Sequence, residues 1–279
     1  MASPQTNIPP SAQSAGSGFL RQNVTSLLTS TFGSILIAML AISSLLGIWE
    51  SLAIWYDVPT WLVPKPSDFL GRLFSDWYKI SLHALSTSLT ILEGFSIGVL
   101  VAVPLALAIA SIPALERGLY PVIIFLNIMP KTVIGPILII WFGIGPIVAA
   151  LIVFLMCFFP ILVDAMHGFK SVDHRLFYIS QTMGASKWQS FLKFQLPAAM
   201  PSIFSGMKIG IVKAVEGVII AEFIASNKGL GFMIMQASGY MDMPLMFAGL
   251  IAAALVALFF NSVMSIAQKK LMPWDNAGR

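Results

Sequence analysis

Charge is what this sequence has least of. Only 10% of its 279 residues are Asp, Glu, Lys or Arg, against roughly 25% in soluble domains. So few charges cannot cover a water-exposed surface, which excludes a soluble enzyme, a nucleic-acid-binding domain and a disordered chain. The net charge is +4, but the basic residues are scattered between apolar runs and form no patch for nucleic acid. Cysteine is almost absent. The single Cys157 lies inside an apolar run, so neither a disulfide framework nor a cysteine metal site can form within one chain. The three histidines, His83, His167 and His174, lack zinc spacing, and Met233, Met235, Met241 and Met243 make no metal box. A Gly-x4-Gly-Lys-Ser/Thr phosphate loop is also missing, so any ATP hydrolysis belongs to another subunit. Apolar residues fill the remainder: 57% of the chain is hydrophobic and the mean hydropathy is +0.87. The sequence is that of an all-α integral membrane protein.

About twenty apolar residues cross a bilayer as a helix. On that measure the chain holds about six spans. The first covers 34–55 and the second 83–111. Two more share 118–162 and divide at the turn signal Gly143-Ile144-Gly145-Pro146. The fifth, 203–225, carries Lys208, Lys213, Glu216 and Glu222; the sixth, 243–267, is uncharged and closed by Lys269-Lys270. With both termini in the cytoplasm, eleven of the sixteen basic residues fall inside, four outside and Lys131 in the membrane, as the positive-inside rule requires. Residues 1–24 read as a disordered cytoplasmic tail and 25–279 as the membrane domain. The first apolar run begins too late and runs too long for a cleaved signal. Between spans one and two, Phe69, Leu70, Leu73, Phe74 and Trp77 recur at helical spacing behind Pro64-Lys65-Pro66-Ser67. With Asp68, Arg72, Asp76 and Lys79 on the other faces, they predict an amphipathic helix at the outer interface.

One loop, about 165–200, is unlike the rest. Its helical pattern breaks at Gly184, resumes behind Ser186 as a cap, and meets a stop at Pro197. Trp188, Phe191, Leu192 and Leu196 are more apolar surface than a solvated loop needs, so neighbouring helices or a partner protein must cover them. The spacing from Gly184 through nine residues to Phe194, then one residue to Leu196-Pro197, resembles the "EAA" loop of membrane subunits of binding-protein-dependent ABC importers. Tyr178-Ile179-Ser180 stands where that family carries Glu-Ala-Ala, a departure that removes the acid but keeps a small third residue. Pro130-Lys131, Pro136, Trp141-Phe142-Gly143-Ile144-Gly145, Ala221-Glu222-Phe223, Gly229-Leu230-Gly231-Phe232 and Met272-Pro273-Trp274 extend the likeness over roughly 60–274. They resemble the nitrate/sulfonate/taurine branch.

That resemblance implies a type I ABC importer permease fold in the bacterial inner membrane, without catalysis or a bound cofactor of its own. It implies a second copy of the chain around a shared pore, a cytoplasmic ATPase dimer holding ATP and Mg, and a periplasmic or lipid-anchored substrate-binding protein. Gly184, Ala185, Ser186, Trp188, Leu196 and Pro197 would then form the ATPase-coupling segment, with Gly184 allowing close approach and Pro197 fixing the hinge into span five.

Lys131, about thirteen residues into the third apolar run, costs on the order of 3 kcal/mol at a helix centre. Either it is a pathway cation for an anionic or strongly polar solute, or it pairs structurally with Glu93, Glu216 or Glu222, or it lies near a helix end. Lys213 and Glu216 are spaced to pair on one helix face. Glu216 and Glu222 are also candidates for the pathway, because the resemblance makes span five line the pore, while Glu222 sits where it can tie that span to the outer loop. Two readings stay open for the solute: an anion such as a sulfonate, or a vitamin-related heterocycle such as a pyrimidine precursor or riboflavin. An ion-coupled secondary transporter could use the same charges but gives the 184–197 segment no purpose.

Overall fold

The computed structural model describes residues 31–172, 175, 182 and 184–274. It divides into two compact units, 1–59 with 65–67 and 60–64 with 68–279. Within the first, α1 (Thr31–Trp55) is apolar on all faces, as a lipid-immersed span must be. Asp57 adopts a left-handed conformation (φ 46°) and lets Val58 N–H bond back to Ala53 O, closing the last turn. The Ser67 N–H and hydroxyl donate to the two oxygens of Glu50, at 3.0 and 2.8 Å.

The larger unit takes in α2 (Pro66–Ser75) from Asp68 onward. It is the expected amphipathic helix: Phe69 is buried and stacks on Phe247 at 5.8 Å. On its polar side Arg72 pairs with Asp76 at 2.8 Å and with Asp242. Then come α3 (Trp77–Ser111), α4 (Pro113–Ile128), a 3-10 turn (Lys131–Ile134), α5 (Gly135–Phe142) and α6 (Pro146–Lys170). A short α7 (Lys187–Ser190) leads through a π-helical turn (Phe191–Gln195) into α8 (Leu196–Ala225), followed by α9 (Leu230–Gly239) and α10 (Met243–Leu271).

Helix α6 is the centre, clasped by α3 and α8. Small residues permit this. A Cβ on Gly94 of α3 would fall 2.5 Å from Val153, and one on Gly217 of α8 would fall 2.8 Å from Met156. Membrane helices lack a hydrophobic drive to associate and rely on such close backbone approach. Ile91, Val153, Ile161, Leu162 and Ile211 fill the core between the three helices.

Two expectations are revised. The third apolar run does not form one straight span: α4 and the segment Lys131–Phe142 are bent by 84°. Met129 is extended (φ −57°, ψ 133°) because the following Pro130 disfavours a helical residue before it and supplies no N–H. Nor does Pro197 stop a helix. The chain is helical from Lys187 to Ala225, and the proline is absorbed by the π turn before it, where Leu196 N–H bonds to Phe191 O. Among the described residues four helices are long and apolar enough to cross a membrane, the bent pair is a fifth candidate, and the more charged 30-residue α8 is a sixth. The turn at Gly143 (φ 76°) divides the third and fourth as read from the sequence.

Candidate functional site

Three places on or beside α8 gather the chemistry. At the loop end, Gly184 is left-handed (φ 73°) with open space where a side chain would be. Ser186 and Gln189 then cap reciprocally: Gln189 N–H donates to Ser186 Oγ at 3.2 Å, and Ser186 N–H to Gln189 Oε1 at 2.9 Å. This is a capping box, and it fixes the direction of a very short helix. Trp188, 66% exposed, stacks on Phe191 at 5.5 Å, and Phe191 leans on Phe169 of α6 at 6.4 Å. Leu192, one turn after Trp188, is also exposed. Gly184, Ala185, Ser186 and Trp188 thus form one protruding knob, whereas Leu196 and Pro197 are half-buried in the helix behind it. The triplet Tyr178-Ile179-Ser180 lies outside the described residues.

At the far end of α8, three consecutive backbone N–H groups are received by side chains. Gly229 N–H donates to His83 Nδ1 (3.1 Å), Leu230 N–H to Thr87 Oγ1 (2.8 Å) and Gly231 N–H to Glu222 Oε2 (2.7 Å). The Thr87 hydroxyl donates in turn to Glu222 Oε1 at 2.8 Å. These are the orphan donors that open α9, so its N-terminus is capped by α3 and α8. Gly229 has φ 102°, and a Cβ there would collide with the Glu222 carboxyl. Glu222, 2% exposed, thus ties span five to the following loop. His83 and Thr87 were not singled out in the sequence: a His and a Thr four apart on an apolar helix carry no signal of a partner some 140 positions away.

In the middle, Lys131 sits at the break between α4 and the 3-10 turn. Its ammonium donates to Asn127 O at 2.6 Å and lies 5.3 Å from the centre of the Phe159 ring. Among the described residues it makes no ion pair, so the structural partner expected in Glu93, Glu216 or Glu222 is not found within the chain. Glu93 borders a different feature, an apolar groove of about 570 Å³ between α3 and α6. Glu216 pairs with Lys213 at 2.7 Å, both about half exposed. No group of three or more His, Cys, Asp or Glu that could hold a metal occurs among the described residues.

Comparison with known proteins gives this geometry a family. The structure resembles that titled inward-facing conformations of the MetNI methionine ABC transporter, with a TM-score of 0.59 and 17% identity, covering 71% of this chain and 96% of that one. The chain is 30% identical to the riboflavin transport system permease protein RibX of Chloroflexus aurantiacus, over 83% of its own length and 87% of that protein's. It is also 30% identical to the taurine transport system permease protein TauC of Escherichia coli, over 82% and 86% of the two lengths. Residues 94–274 match the family described as binding-protein-dependent transport system inner membrane component. That match covers well over half of the sequence, and the chain is a multi-pass membrane protein belonging to this family.

Proposed function

We propose that two copies of this chain form the translocation pathway of an ATP-driven importer, with both termini in the cytoplasm. A cytoplasmic ATPase dimer binds the knob at residues 184–192, and an external binding protein delivers a small polar or anionic solute to the opposite face. One observation carries the reading: an exposed, capped Trp188–Leu192 face stands on a helical run continuous with α8. Trp188 is 66% exposed and meets the bundle through its stack on Phe191, and its continuity with α8 lets a push there reach the membrane. The intramembrane charges would also suit an ion-coupled secondary transporter, but that reading leaves the knob idle. For the solute, Lys131, which makes no ion pair among the described residues, favours an anion, as does the taurine relative; the riboflavin relative favours a vitamin-like heterocycle.

The test uses the ATPase encoded with this gene. Gly184→Trp places bulk on the docking surface at a left-handed position, where an L side chain is strained. The variant should insert normally but retain at least tenfold less ATPase on purification, and uptake should no longer follow hydrolysis. Normal ATPase retention and uptake would overturn the reading.

A further inference from the structure

Helix α8 is buried on most sides, yet one stripe is open: Ser205, Ile209, Val212, Glu216 and Phe223. The steps of four, three, four and seven keep these residues on a single helical face. Glu216 is its one charged member, and Lys213 reaches across to it from the adjoining face. A half-exposed ion pair well inside a membrane helix is unsuited to lipid. It suits a second copy of the same stripe, because a two-fold axis would bring each Lys213 towards the other chain's Glu216, a self-complementary arrangement.

The charges on this side do not balance. Lys131 donates to Asn127 O and makes no ion pair among the described residues. Lys208, half-buried one turn before Val212, makes no ion pair among the described residues either. Asp164 of α6 lies against Gly206 in the first half of α8, so Glu216 is the carboxylate on the open stripe itself. It is also held very differently from Glu222. Glu222 is buried and fixed by Thr87 and the Gly231 N–H, whereas Glu216 is half exposed and bonded to a neighbour on its own helix.

We propose that Glu216 is an exchangeable counter-anion: it occupies Lys213 when the pathway is empty and gives way to the anionic group of a passing solute, which Lys213 then holds. The inference rests on the homodimeric pathway proposed above and deepens it. Glu216 becomes a specificity-determining residue, since only an anion that outcompetes a tethered carboxylate can take its place.

The test uses the purified full-length chain in lipid nanodiscs, with methanesulfonate as probe and equal sodium chloride as control. Melting is followed by reaction of the buried Cys157 thiol with a fluorogenic maleimide. Methanesulfonate should raise the melting temperature with a saturable midpoint. Glu216→Gln, which removes the competitor, should lower that midpoint about fivefold, and Lys213→Met should raise it about fivefold or abolish the response. Glu216→Asp, which keeps the charge, should stay within about twofold of the parent protein. No response to methanesulfonate in the parent protein overturns the proposal. So do equal losses of stability in Glu216→Gln and Lys213→Met with the midpoint unmoved, the behaviour of a merely structural pair. Cross-linking of Val212→Cys in a Cys157→Ala background separates the premises. Without a cross-linked dimer the homodimer reading fails; with one and a flat midpoint, only the counter-anion fails.

Discussion

Replacing Glu222 by Ala should be among the most damaging single changes in the protein. The substitution strips the acceptor from two buried donors, the Gly231 N–H at 2.7 Å and the Thr87 hydroxyl at 2.8 Å. Leaving a buried donor unsatisfied costs about 1–3 kcal/mol. Glu222 is 2% exposed but borders a polar cavity of about 230 Å³, so water replaces part of the lost acceptor, and two orphaned donors give a loss of about 2–5 kcal/mol. For a chain of this size that corresponds to a fall of roughly 5–15 °C in melting temperature. The protein carries its own reporter, because its one cysteine, Cys157, is fully buried between α3 and α6 and reacts with a fluorogenic maleimide only as the bundle opens. Glu222→Gln should fall between the parent and Ala, since the amide keeps one acceptor but turns an N–H₂ towards a donor. Thr87→Val combined with Glu222→Ala should lose less than the sum of the single losses, as expected for side chains in direct contact. A melting temperature for Glu222→Ala within 1 °C of the parent would refute the reasoning.

Gly94→Val tests the contact of α3 with α6: its Cβ would lie 2.5 Å from Val153, so a loss of about 1–3 kcal/mol from overpacking is expected and would appear as an earlier rise in Cys157 reactivity. Ser186→Ala removes half of the reciprocal cap and about 1 kcal/mol of local helix stability. It should leave the melting temperature of the bundle unchanged while weakening ATPase retention several-fold, and a loss of bundle stability instead would contradict an independent knob.

What could be read in advance depended on whether the deciding forces were local. The amphipathic α2 was legible because Phe69 and Leu73 repeat at helical spacing. The division at Gly143 was legible because glycine and proline act on the residues next to them. The cap at Ser186 needed only three residues of reach. The bend at Pro130 was harder: Pro130-Lys131 was noticed, but a run of apolar residues has the same hydropathy whether straight or bent by 84°, and the run was read as one helix. The straight-run reading weighed a carboxylate partner for Lys131 beside a place near a helix end; the structure puts it at such an end, where a backbone carbonyl and a ring face receive it. The clasp of His83, Thr87 and Glu222 on the 229–231 turn was only half legible, since Glu222 could be assigned to the following loop but its partners on α3 are set by tertiary packing alone.

The π turn ahead of Pro197 has a geometric consequence. Successive residues of an α-helix are rotated by about 100°, and a π turn takes up one residue more than an α turn does. Everything before it is therefore out of phase, by about one residue, with an uninterrupted helix leading into α8. Trp188 and Leu192 point where they do because of that offset. Deleting one residue within 191–195 would re-index the knob around the helix axis and leave the faces of α8 against α6 untouched, so the direction in which the knob points and the packing of the bundle are set by separate stretches of one rod.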